Sequence, residues 1–208
     1  DPNDGASIDE SYMGLSGGFG DIHIGSTKKA SVKLGVWSPV TGTITLANPD
    51  SNNFIVVPTA FLTGAAASSA FSTAIAGASD AVKINYLSPS VNGLRLGLTY
   101  TPSTDNASTM PETGGNSGDA SQVYDATLRY SGKMGASNIN AVFSYVETHG
   151  TANNSWSGWR TGINATFGNI TVGAAMKQVT DIDSGKGGTA NSDEEEVFDV
   201  GLRYKVDA

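Results

Sequence analysis

Apolar and polar residues alternate along most of this chain, in runs of seven to eleven positions separated by turn-forming stretches. Strict alternation puts successive side chains on opposite faces of a β-strand. Nine runs are predicted as strands: 10–16, 21–27, 82–88, 94–101, 122–131, 138–147, 156–166, 170–179 and 196–206. In 94–101, Leu94, Leu96, Leu98 and Tyr100 share a face opposite Arg95, Gly97 and Thr99. In 122–131, Tyr124, Ala126, Leu128 and Tyr130 oppose Asp125, Thr127 and Arg129. The later strands repeat the theme: Ile163 against Arg160, Val172 against Thr171 and Lys177, Leu202 against Asp199 and Arg203.

The connections alternate as well. Short ones at 17–20, 89–93, 132–137 and 167–169 interleave with long ones at 28–81, 102–121, 148–155 and 180–195. In an up-and-down meander, all the short turns then fall at one end of the sheet and all the long loops at the other. That asymmetry belongs to outer-membrane barrels, with periplasmic turns and extracellular loops. Tyr86, Tyr100, Tyr130, Tyr145, Trp159 and Tyr204 lie near strand ends, as interfacial girdles would. A soluble sandwich would turn the same aliphatic face inward, and alternation alone does not say which face is inside.

Residues 28–81 stand apart. A connection of this length far exceeds the roughly 4–6 residues of an ordinary loop. It has few charges but carries Trp37, Phe54, Phe61 and Phe71. A solvated tail would be more charged and less aromatic. The segment is therefore expected to fold back against the interior wall and narrow a channel, with a short helix in the alanine-rich part, 63–78.

Composition supports the membrane reading. Charged residues make up 15 % of the 208, against about 25 % in ordinary soluble domains, and 26 residues are glycine. No apolar run is long enough for a transmembrane helix. The net charge of −8 argues against a nucleic-acid partner. The chain opens on a polar turn, Asp1 to Gly5, so an exported protein would have lost its leader.

Candidate chemistry is sparse. Lys83, Arg95, Arg129, Arg160, Lys177, Arg203 and Lys205 fall on the polar face, where charge sets ion preference in a channel. Lys83 and Arg95 are expected to flank the long segment, opposite its acids Asp50 and Asp80 and near Asn53. Asp193, Glu194, Glu195 and Glu196, with Asp181 and Asp183 nearby, offer carboxylates for Ca2+ at external acidic loops. They lack the spacing of a calcium loop and read first as a solvated acidic stretch. His23 and His149 are isolated, and no catalytic constellation is evident.

Several stretches resemble Gram-negative trimeric porins. They are Asp9-Glu10-Ser11-Tyr12 with Leu15, Gly17-Gly18-Phe19-Gly20 and Ile24-Gly25, and Asn52-Asn53-Phe54-Ile55-Val56 with Pro58. Lys83-Ile84-Asn85-Tyr86-Leu87-Ser88-Pro89, with Gly93, Leu94, Gly97, Tyr100 and Pro102, adds a third, and the run from Asn52 to Pro58 resembles one found in a proteobacterial branch. The resemblance implies a sixteen-strand barrel, three barrels per particle, and 28–81 as the inward constriction loop. It implies a bacterial outer-membrane location among lipid and lipopolysaccharide, and passive diffusion of small hydrophilic solutes without cofactor or catalysis. Residues 1–208 would form one barrel piece lacking about seven strands, since nine strands with two free edges do not close a barrel. A secreted soluble all-β binding module and a structural or adhesive barrel are the alternatives.

Overall fold

The computed structural model describes residues 10–39, 73–75, 81–104, 121–150, 155–180 and 194–206. It is all-β, with one short helix among those residues. The strands are β1 (Ser11–Gly17), β2 (Gly20–Ser26), β3 (Val82–Leu87), β4 (Leu94–Thr101), β5 (Ser121–Met134), β6 (Ser137–Gly150), β7 (Trp156–Phe167), β8 (Ile170–Thr180) and β9 (Glu194–Tyr204). They form a single nine-stranded sheet in sequence order, and every neighbouring pair is antiparallel. The helix, α1 (Ala30–Lys33), is one turn at the start of the long segment.

Local chemistry explains the connections. Asn92 and Gly93 both have positive φ, as the tight turn before β4 demands, and neither residue type pays the usual steric cost there. The β5–β6 hairpin is longer than alternation suggests. Gly132, Lys133 and Met134 continue the ladder opposite Ile139, Asn138 and Ser137, so the turn shrinks to Gly135 and Ala136. Once antiparallel register is set, backbone groups near the turn gain more by pairing than by standing free. β9 starts at Glu194, two residues before the predicted boundary. The acidic run is therefore strand from Glu194 onward, with Glu195 opposite Val179 and its carboxylate on Lys177 at 2.7 Å.

The two faces are unlike. On one, Leu94, Leu96, Leu98, Leu128, Ile163, Val172 and Leu202 are all exposed. Leu128 keeps 47 % of its surface while its neighbour Thr127 keeps 1 %. Exposed contiguous apolar area on this scale is foreign to a soluble monomer. On the other face the chain packs against its own sheet. The buried apolar clusters lie there: Ala30 and Leu34 with Leu87, and Ile75 with Val123 and Val146, flanked by Trp156. The core thus sits between the wall and the chain laid across it. The expected helix at 63–78 lies outside the described residues except for 73–75, which form a bend.

Candidate functional site

The polar face of the sheet and the two ends of segment 28–81 build one structure. Residues 28–39 run across the inner wall from β3 towards β9. Small residues make the path: a Cβ on Gly97 would lie 2.8 Å from Ala30 Cβ and from Leu34 Cδ1, and one on Gly173 2.9 Å from Pro39 Cδ. A Cβ on Gly162 would collide with the Val36 carbonyl oxygen, and one on Gly201 with that of Pro39. The four glycines sit on β4, β7, β8 and β9, and at Gly162 and Gly201 the close approach of a second backbone requires them.

Polar side chains of the wall then hold this backbone. Asn85 Nδ2 donates to the Lys28 carbonyl at 2.9 Å. The Ala30 amide donates to Thr99 Oγ1 at 2.8 Å, and the Ser31 amide to Asp125 Oδ2 at 3.2 Å. Asn164 Nδ2 donates to the Trp37 carbonyl at 2.8 Å. Thr73, from the far end of the segment, donates its hydroxyl to Asp199 Oδ2 at 2.9 Å. Each bond satisfies a polar group that burial would otherwise leave costly.

Two cations act as clasps. Lys83 Nζ donates to the carbonyls of Thr27 and Ala81, the residues that bracket 28–81, and so ties its two feet together. Arg160, fully buried, reaches Ser31 O at 3.3 Å, Val36 O at 2.8 Å and Thr73 O at 3.1 Å. Its guanidinium lies 3.7 Å from the centroid of the Trp37 ring. Only arginine offers this planar fork of donors with a face free to stack.

Charge beneath the strap is mixed. Lys29 is buried in the field of Asp125 and Arg160, and desolvation lowers its ammonium to about 8. At the upper edge, Glu10 accepts from the Thr27 hydroxyl at 2.6 Å and from the Lys28 amide at 3.4 Å. The Thr27 bond is the largest influence holding its carboxyl below the usual range, and Lys33 and Lys28 assist.

The predicted site residues therefore divide. Lys83, Arg160 and Lys177 face inward but are buried at 1 % exposure or less, bound to carbonyls or to Glu195, rather than bathed by lumen water. Arg95 lies on the inner face of β4, two positions from Gly97, on which Ala30 and Leu34 rest. It sits at the end with the short turns, ion-paired with Asp21 and donating to Ser88 O at 2.9 Å. Arg129, its cross-strand partner, is half-buried and reaches Asn140 Oδ1 at 3.3 Å. Arg203 and Lys205 are exposed on that same end. Asp50, Asn53 and Asp80 lie outside the described residues, as do Asp181 and Asp183. The described residues hold no cluster of three or more metal-ligating side chains.

Sequence reading missed Asp125, Asp199, Asn85, Asn164 and Lys29. A signal existed for the docking surface itself: Val123, Val142, Val146 and Val179 break the polar face of their strands, and all four are buried.

A family model described as Gram-negative porin matches residues 1–208. The chain belongs to the Gram-negative porin family. No curated protein matched it in a further comparison. As a porin it is a protein of the bacterial outer membrane, and its family is one of channels, not enzymes. The bare aliphatic face of the sheet is then the lipid-facing surface, and the face carrying the strap is the inner wall. The secreted-module alternative gains no support from any of these observations.

Proposed function

We propose that this porin is a passive channel for small hydrophilic solutes and ions, narrowed by segment 28–81. One observation supports the reading above the rest: the segment's described ends lie flat on the polar face, clasped by Lys83 and Arg160, while the opposite face stays apolar and uncovered. A structural or adhesive barrel has no need of a strap laid across its interior.

The pore-facing charge follows from the same placement. With Lys83, Arg160 and Lys177 consumed by the strap and Glu195, and Arg95 paired with Asp21, the inner-wall bases left open to water among the described residues are Arg129, Lys133, Arg203 and Lys205, all in the half nearest the short turns. Asp21 there is paired with Arg95, and Asp125 and Asp199 are buried. A basic vestibule raises the local concentration of anions. Asp50 and Asn53, from the segment's middle, and Asp80, beside its far foot, would face the passage. The assembly is a homotrimer in contact with outer-leaflet lipid and lipopolysaccharide.

Swelling of liposomes that contain the intact protein tests the channel. Sugars should enter at rates that fall steeply with solute size. Liposomes that fail to swell in any sugar would refute the proposal.

A further inference from the structure

Two arginines oppose each other on the inner wall. Arg95 on β4 and Arg129 on β5 are direct cross-strand partners, and like charges so placed repel. Their side chains leave the seam in opposite directions. Arg95 reaches back across β3, to Asp21 on β2 and to the Ser88 carbonyl. Arg129 reaches forward to Asn140 Oδ1 on β6, at 3.3 Å. Asp21 neutralises Arg95, while no carboxylate among the described residues pairs with Arg129. Asn140 Oδ1 also accepts from Ser131 Oγ at 2.8 Å. Two donors on one oxygen fix the amide, and leave its nitrogen without an acceptor among the described residues. Beyond Asn140 the wall carries uncharged hydrogen-bonding groups. Asn138 lies two residues along β6 on the same face, about 7 Å away, and pairs across to Thr166. The Thr166 and Thr171 hydroxyls are 3.0 Å apart.

We propose that Arg129 and Asn140 seat the phosphoryl group of a sugar phosphate, whose hydroxyls lie along Asn138 and Thr166. The proposal rests on the channel reading above and names a solute class for it. A phosphoryl group has three terminal oxygens. The guanidinium fork supplies two parallel donors and the Asn140 amide nitrogen a third, whereas a carboxylate has only two oxygens to meet them. Lys133, Arg203 and Lys205 have no ion-pair partner among the described residues, and their field favours a dianion over a singly charged head. Those three are exposed and screened by salt. Arg129 is half-buried and held by Asn140, so its attraction is screened less. The neutral amide and hydroxyls of the strip then match a sugar, since each can donate to or accept from a hydroxyl. The site lies against the edge of the strap: the next inward pair is Gly97 with Thr127, and Ala30 and Leu34 rest on Gly97. A solute that clears the constriction meets this site next.

The experiment is block of chloride current through the intact protein in planar bilayers. The probes are glucose 6-phosphate, inorganic phosphate and glucose, at about pH 8, where both phosphates are dianions. Glucose 6-phosphate should lower the wild-type current along a saturating curve, inorganic phosphate should need a higher concentration, and glucose should not block. Arg129→Gln should raise the half-blocking concentration of both phosphates at least about tenfold, as loss of a charge-assisted contact implies. Asn138→Ala should raise that of glucose 6-phosphate about threefold and leave that of inorganic phosphate unmoved. Asn140→Asp sets a carboxylate beside Arg129 in place of the phosphoryl group. It should abolish block by both, and serves if Arg129→Gln does not fold. Lys205→Gln, which removes only a screened charge, should shift either curve less than about twofold. Chloride steps before any probe is added report the channel by themselves, so failure here stays separate from failure of the channel. Equal shifts in Arg129→Gln and Lys205→Gln would leave a diffuse basic field and overturn the proposal. So would a block that never saturates, or equal block by the two phosphates, which would remove the sugar strip.

Discussion

Arg160 lays its guanidinium 3.7 Å from the centre of the Trp37 ring, and its nitrogens take carbonyls from both ends of the strap. A single β7 side chain thus couples residues 31, 36, 37 and 73 to the wall. Arg160→Ala would leave three carbonyls without donors, at roughly 1–3 kcal/mol for each one that stays buried. Single-channel recordings should show higher conductance and more current noise. Arg160→Lys should fall between, because lysine keeps the charge but not the fork. Recordings indistinguishable from wild type would remove Arg160 from the clasp.

The glycine path gives a matched pair of substitutions. Gly162→Ala puts a methyl into the Val36 carbonyl and should lift the strap, raising conductance. Gly14→Ala, also on the inner wall, meets His23 Cδ2 at an ordinary 3.5 Å and should leave currents unchanged. Equal behaviour of the two variants would mean that 28–39 does not lie on β7.

The face assignment is tested site by site. Spin labels at Leu98, Leu128, Ile163 and Leu202 should be relaxed by lipid-soluble oxygen, and one at Arg203 by a water-soluble nickel complex. Leu128→Arg should cost roughly 2–4 kcal/mol in membrane insertion if it lies near the midplane. Relaxation of the leucine sites by nickel instead would reverse the faces.

Much of this was legible in the sequence because the period of a strand is two and register is strict where one face must be apolar. Leu94, Leu96 and Leu98 against Arg95 needed nothing more. Arg160 and Arg203 look alike in that pattern, yet one is buried and the other exposed. The difference lies in where a distant segment crosses the sheet, and alternation within a strand carries no such information. Gly162 likewise reads as one more small wall residue until Val36 is seen against it. The inward valines, Val142 and Val146, were readable as exceptions that required a cover.

Lys29 yields a pH dependence. Its folded value of about 8 lies below the ordinary 10.5, so between these pH values the unfolded root binds the extra proton. Stability of the root then rises with pH across that window, and below it the buried charge is a standing cost. Protection of the Ala30 and Ser31 amides, corrected for intrinsic exchange, should increase from pH 8 to 10. In Lys29→Met the increase should vanish. A wild-type protection that falls with pH would contradict the burial of Lys29 as a cation.

The central claim, an open channel narrowed by a strap, is tested most directly in planar bilayers. The intact protein should insert in discrete current steps, with conductance proportional to bulk salt conductivity and a reversal potential under a salt gradient of the sign given by anion preference. Deleting residues 40–75 should raise the step size and weaken that preference. Absence of steps, or steps unchanged by the deletion, would contradict the account.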